Sequence, residues 1–212
     1  IVAGLTAANA LVGSPFHRDD LLQLATDIEG HPDNVAPAIY GGFTVNTVTD
    51  GHVECFSFLP RIFLRLVVMV PNFYLSTKSA RQVLPSEVPM KDAVFNISHA
   101  AMMVAALARG SEQHLENAFA DALHQNYRAP LIPGMFDVFA AAKRAGAYGA
   151  ALSGAGPCLI AFVPEHRKCT EEVAAAMQDA FRANEIEARP LHLRLDTKGA
   201  RVLRRRDMNA KR

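Results

Sequence analysis

Tyr148-Gly-Ala-Ala-Leu152, Ser153-Gly-Ala-Gly-Pro157 and Cys158-Leu-Ile-Ala-Phe-Val163 run on without a break, two short apolar runs around a loop of small residues. Runs of this length between Gly and Pro read as buried strands, and the loop as their connection. Downstream, Glu165 to Ala183 carries Val173, Met177 and Ala180 on one helical face, and Ala188 to Leu195 alternates as a strand does. Upstream, Ile62 to Val70 is rich in β-branched and aliphatic residues and stops at Pro71-Asn72, as a buried strand would. Helices are expected between them at Thr77 to Leu84, Asp92 to Ala108, Ser111 to Leu123 and Met135 to Ala145. The order strand, helices, strand, strand, helix, strand predicts an α+β fold, a ferredoxin-like split βαβ sheet with an enlarged first crossover.

The first sixty residues have a different pattern. Ile1 to Leu11 is helix-prone, and Arg18 to Ile28 reads as a second helix with Asp19 as its cap. Phe43 to Val48 and Val53 to Phe58 flank Asp50-Gly51, a strong two-residue hairpin signal. Pro60 closes this part, so the expected domains are 1–60 and 61–205, followed by a basic tail over 206–212. Ile1 lies inside an amphipathic pattern that has no N-cap, and the chain is therefore expected to be the C-terminal part of a longer protein.

Of the 212 residues, half are hydrophobic and a fifth charged, a globular composition. Lys and Arg number 22 against 21 Asp and Glu, too even a balance to recruit nucleic acid by charge. The apolar stretch Ile97 to Ala108 is too short to span a bilayer and is expected to be a core helix. Cys55, Cys158 and Cys169 lack metal-type spacing and suggest reduced thiols in a cytoplasmic protein.

Several residues could carry chemistry. Glu29-Gly-His-Pro-Asp-Asn34 crowds carboxylate, imidazole and amide groups onto a turn. Phosphoryl transfer needs Mg²⁺, donors around the phosphates and an aligned nucleophile, and Mg²⁺ is commonly held by one or two carboxylates plus phosphate oxygens. Glu29, with Asp27 in reserve, is the candidate ligand, although both could be ordinary acids at a helix end. His31 could donate to a substrate or merely pack over Pro32, and Asp33 and Asn34 are also common turn residues. Thr77 and Arg81, four apart, share a helix face, and they could hold a carboxylate between them. Arg128 lies in Asn126-Tyr127-Arg128-Ala129-Pro130, where a Pro-rich turn could fix it, or it could be a plain surface Arg. Gly154 and Gly156 let backbone N–H groups approach an anion, unless the loop is only a tight hairpin connection.

Four blocks in order resemble the homoserine kinase family of the GHMP small-molecule kinases. They are Glu29-Gly-His-Pro-Asp-Asn-Val-Ala-Pro-Ala-Ile-Tyr-Gly-Gly-Phe43, Ser76-Thr-Lys-Ser-Ala-Arg81, Tyr127-Arg-Ala-Pro-Leu-Ile-Pro-Gly134 and Gly149-Ala-Ala-Leu-Ser-Gly-Ala-Gly-Pro157. The resemblance implies ATP- and Mg²⁺-dependent phosphorylation of the L-homoserine hydroxyl in threonine biosynthesis, in the cytoplasm, without nucleic-acid or membrane partners. A homodimer is the assembly left open. His31, Thr77, Arg81 and Arg128 would surround the amino acid, the two Arg residues taking its carboxylate and Arg128 doing so as a bidentate fork. Asn34, with Asp33 beside it as the second catalytic candidate, would sit near the reacting groups, Gly154 and Gly156 would line the site, Ser153 would face the nucleotide, and Glu29 would hold Mg²⁺.

The family's Gly-Leu-Gly-Ser-Ser-Ala phosphate loop would fall before Ile1. The resemblance therefore implies a GHMP kinase fold with only a remnant of the S5-like N-terminal domain, a fragment inactive alone. Competing functions are another GHMP kinase, of mevalonate, sugar or cytidyl diphospho-alcohol type, and a non-catalytic amino-acid-binding ferredoxin-like module.

Overall fold

The structure is a computed structural model that describes residues 1–203; the basic tail expected over 206–212 lies outside them. The described residues divide into two compact units, one of Ile1–Pro60 together with 195–203, the other of Arg61–Arg194.

The first unit holds α1 (Val2–Leu11), α2 (Arg18–Glu29), α3 (Val35–Tyr40), β1 (Phe43–Thr49) and β2 (His52–Phe58). Strands β1 and β2 pair antiparallel from Phe43 opposite Phe58 to Thr49 opposite His52. Asp50 and Gly51 both take positive φ, the conformation the two-residue turn requires. Helix α2 starts differently from expectation. Asp20, not Asp19, caps it by accepting the His17 N–H at 2.8 Å, while Asp19 accepts the Tyr40 hydroxyl. Gln23 ties α2 to the hairpin, donating to the Gly51 carbonyl and accepting from the Val53 N–H, each at 3.1 Å.

Leu21, Leu22, Ala25, Val35, Ala36 and Ile39 form this unit's own core. Each is at most 7% exposed, so this unit carries a core of its own rather than the mere N-terminal remnant expected. Asp196 and Ala200, assigned from sequence to the second domain, also bond here. The Gly42 N–H donates to Asp196 at 2.7 Å and the Ala200 N–H to Ala38 at 2.8 Å. Gly41 permits this approach, because a Cβ there would lie 2.6 Å from the backbone nitrogens of Lys198 and Gly199.

The second unit holds β3 (Leu64–Pro71), α4 (Thr77–Gln82), α5 (Met90–Arg109), α6 (Glu112–Leu115), α7 (Gln125–Arg128), α8 (Met135–Arg144), β4 (Gly149–Leu152), β5 (Leu159–Pro164), α9 (Thr170–Ala183) and β6 (Ala188–Arg194). The four strands form an antiparallel sheet in the order β4-β5-β3-β6, the ferredoxin-like arrangement. Val67 opposes Ala161 and Met69 opposes Leu159, and this buried face packs with Val138, Met177 and Phe181 of α8 and α9.

Two helices depart from the sequence expectation. Ser111 to Leu123 is helical only over Glu112–Leu115. Phe119 instead lies over Gly149, whose added Cβ would come within 2.3 Å of its ring, and packs at a tilt against Phe162 with ring centroids 5.1 Å apart. Helix α5 buries only Ala106 and Leu107, while Ile97 is 69% and Val94 58% exposed, so it is not the core helix its composition suggested. No helix among the described residues is long and apolar enough to cross a membrane.

Candidate functional site

The expected site residues fall in both units. In the first, Gly30 ends α2 with φ at +92°, a left-handed stop with open space around it, and the chain turns into His31. His31 Nδ1 is in ion-pair contact with Asp33 Oδ1, though not aligned as a hydrogen bond. The Asn34 amide donates to the same Asp33 oxygen at 3.3 Å. The structure thus brings His31, Asp33 and Asn34 together around one carboxylate. The two acids proposed for a metal differ in availability. Asp27 accepts the Gln23 amide at 2.8 Å, whereas Glu29, exposed at the end of α2, pairs with nothing among the described residues.

In the second unit Ser76 caps α4 by accepting the Ser79 N–H at 3.0 Å, which leaves Thr77 and Arg81 exposed on that short helix. Arg128 ends α7 and is held by its surroundings rather than by the Pro-rich turn. Its Nε donates to the Ala80 carbonyl at 3.1 Å, and its Nη1 lies 3.4 Å from both the Gly154 carbonyl and His124 Nδ1. The bidentate fork expected of Arg128 is therefore partly spent, and Nη2 is the nitrogen left for a ligand. Partial burial, with the Arg81 charge adding to it, holds the guanidinium below its ordinary pKa against the opposing pull of Asp121. Among the described residues neither Arg81 nor Arg128 forms a salt bridge. Two neighbouring cations that no carboxylate pairs directly make a site for an anion.

The Ser153–Pro157 loop is the β4–β5 hairpin connection. The Ser153 N–H donates to Cys158 at 2.9 Å and that of Gly156 to Ser153 at 3.2 Å. The N–H groups of Gly154 and Ala155 have no partner among the described residues and remain for an anion. Gly156 packs inward, since a Cβ there would meet Ile132 Cδ1 at 2.9 Å, and Ser153 is exposed.

Sequence reasoning missed what supports Arg128 and the loop. The buried Gln125 side chain accepts the Leu152 N–H at 2.9 Å, joining α7 to the end of β4. Asp121 accepts N–H groups from His124 at 2.8 Å and Gln125 at 2.6 Å, capping α7, and takes the Asn96 amide of α5 at 2.9 Å. Local rules did not point to it, because Asp121 lies four residues before the first residue of α7, outside the N-cap position.

Comparison with known proteins gives two family matches, "GHMP kinases N terminal domain" over residues 1–42 and "GHMP kinases C terminal" over residues 103–184. Both halves of that architecture are thus represented, which corrects the expectation that only a remnant of the N-terminal domain accompanies the C-terminal one. The chain is 42% identical to homoserine kinase of Carboxydothermus hydrogenoformans over 94% of its own length and 64% of that protein's. It is 41% identical to homoserine kinase of Desulfitobacterium hafniense over 96% of its length and 68% of that relative's. The chain thus spans about two thirds of the curated relatives it matches. The crystal structure of homoserine kinase from Cytophaga hutchinsonii superposes with a TM-score of 0.88 at 30% identity, covering 95% of this chain and 65% of that one.

Proposed function

The chain belongs to the homoserine kinase family of the GHMP kinases, and from that premise we propose that its protein transfers the γ-phosphoryl group of ATP to the L-homoserine hydroxyl in the cytoplasm. The observation that carries the reading is the unpaired Arg81 and Arg128, which suit the carboxylate of an amino-acid substrate. Arg128 Nη2 and Arg81 take its oxygens, and Thr77 contacts the rest of the amino acid. The free N–H groups of Gly154 and Ala155 face negative charge, with Ser153 toward the nucleotide and Gly154 and Gly156 shaping the wall.

The hydroxyl oxygen attacks the γ-phosphorus as the bond to the leaving ADP breaks, and little covalent help is needed. In the first unit Asp33 accepts the Asn34 amide and so positions it. Asp33 Oδ1 is already engaged by His31 and Asn34, which favours that role over a general base. The donor set fits Mg²⁺ held mainly by phosphate oxygens. Glu29 is a free carboxylate, and no group of three His, Cys, Asp or Glu converges among the described residues. When bound, Mg²⁺ neutralises phosphate charge.

The test is a substrate panel of L-homoserine, mevalonate and galactose with ATP and Mg²⁺, followed by ³¹P NMR. Phosphate is expected on homoserine. Preferential transfer to mevalonate or galactose, or transfer to none of the three, refutes the proposal.

A further inference from the structure

We propose that His124 is a positioning residue for Arg128, its Nδ1 lone pair holding the Nη1 N–H while Asp121 keeps the ring proton on Nε2. The inference rests on the reading that Arg128 receives the substrate carboxylate. It begins at Asp121, whose side chain is only 7% exposed and accepts the three hydrogen bonds from Asn96, His124 and Gln125. Burial alone would raise its pKa, but those hydrogen bonds outweigh it and hold the carboxyl below the usual range. Asp121 is thus a fixed anion.

His124 stands between that anion and the Arg128 cation, Nε2 at 3.4 Å from Asp121 Oδ1 and Nδ1 at 3.4 Å from Arg128 Nη1. A guanidinium has only donors, so the nitrogen facing it must offer a lone pair. The proton then belongs on Nε2, toward the carboxylate. Burial also holds His124 below its ordinary pKa, which keeps the ring neutral at pH 7. His99 of α5 lines the same cavity of about 190 Å³ and is the other titratable group facing it, besides Asp121.

With Nε on Ala80 and Nη1 shared between Gly154 and His124, both N–H groups of Nη2 point to a single use. Three anchors from three segments determine where that nitrogen lies. A protonated His124 would set donor against donor beside the Arg128 guanidinium and release one anchor.

The tautomer is read first, by ¹⁵N NMR of histidine-labelled protein without ligand. The neutral Nε2–H form is expected at pH 7; an Nδ1–H tautomer or an imidazolium overturns the proposal. Calorimetry of L-homoserine binding then compares His124→Leu, His124→Asn and Arg128→Ala. His124→Leu should weaken binding about tenfold, the value of one hydrogen bond, with ATP affinity unchanged. His124→Asn, whose carbonyl oxygen can stand in for Nδ1, should recover most of that loss. If His124→Leu binds like the parent while Arg128→Ala does not, the positioning role fails and the carboxylate clamp stands. If Arg128→Ala also binds like the parent, the clamp reading fails and the role of His124 falls with it.

Discussion

Arg128→Lys keeps the net charge but changes the shape of the cation. The guanidinium spreads its donors over three nitrogens, with Nε on Ala80, Nη1 on Gly154 and His124, and Nη2 free. A lysine ammonium concentrates its three N–H groups on one atom at the end of a flexible stem. It cannot hold those acceptors and present a donor to a substrate at once. Losing one charge-assisted hydrogen bond costs about 1.5–3 kcal/mol, or roughly ten- to a hundred-fold in kcat/KM. Steady-state kinetics with L-homoserine should show that loss, and the KM for ATP should barely move. The control is a homoserine analogue with a neutral group in place of the carboxylate, which should be poor for the parent and lose little more in the variant. Equal impairment of both substrates, or a raised KM for ATP, would refute the assignment and pass the carboxylate to Arg81.

Three further predictions concern the scaffold. Gln125→Leu removes the acceptor of the Leu152 N–H inside the protein and should lower unfolding free energy by about 1–3 kcal/mol in urea; an unchanged midpoint argues that the bond contributes nothing. Gly41→Ala should destabilise by at least about 2 kcal/mol, because the new methyl meets backbone, whereas Gly30→Ala, with the same sign of φ but open space, should cost about 1 kcal/mol. Equal losses in the two variants would show that backbone conformation, not the approach of Lys198 and Gly199, governs Gly41. Finally, His124 has a folded pKa below its unfolded value, so the unfolded chain takes the proton first and stability should fall as pH drops from about 6.5 toward the lower folded value. Urea unfolding of His124→Asn should lose that part of the slope; retention of the full slope assigns it to another histidine.

Much of this protein is legible in local sequence. The alternation of Val67 and Met69, the short runs at Gly149–Leu152 and Leu159–Pro164 and the amphipathic helix ending at Ala183 specify strands and helix through side-chain period. Their order leads to the β4-β5-β3-β6 sheet, and Asp50-Gly51 to the hairpin, because turn chemistry acts within a few residues. The motif blocks likewise point to the homoserine kinase family on their own.

Other features depended on partners distant in the chain, to which local propensity is blind. The helix expected over Ser111 to Leu123 breaks because Phe119 is drawn onto Gly149 and Phe162, a packing gain that overrides helix propensity. The apolar run in α5 shows that a face is hydrophobic, not that anything in its unit covers it. Gly41 could be read as a turn, but only the folded chain shows the segment after Leu195 crossing it. Arg128 was visible as a cation, yet which of its nitrogens stays free was decided by Ala80, His124 and Gly154. Hydrogen-bond direction depends on where acceptors converge in space, and that convergence exists only after the sheet and helices have packed.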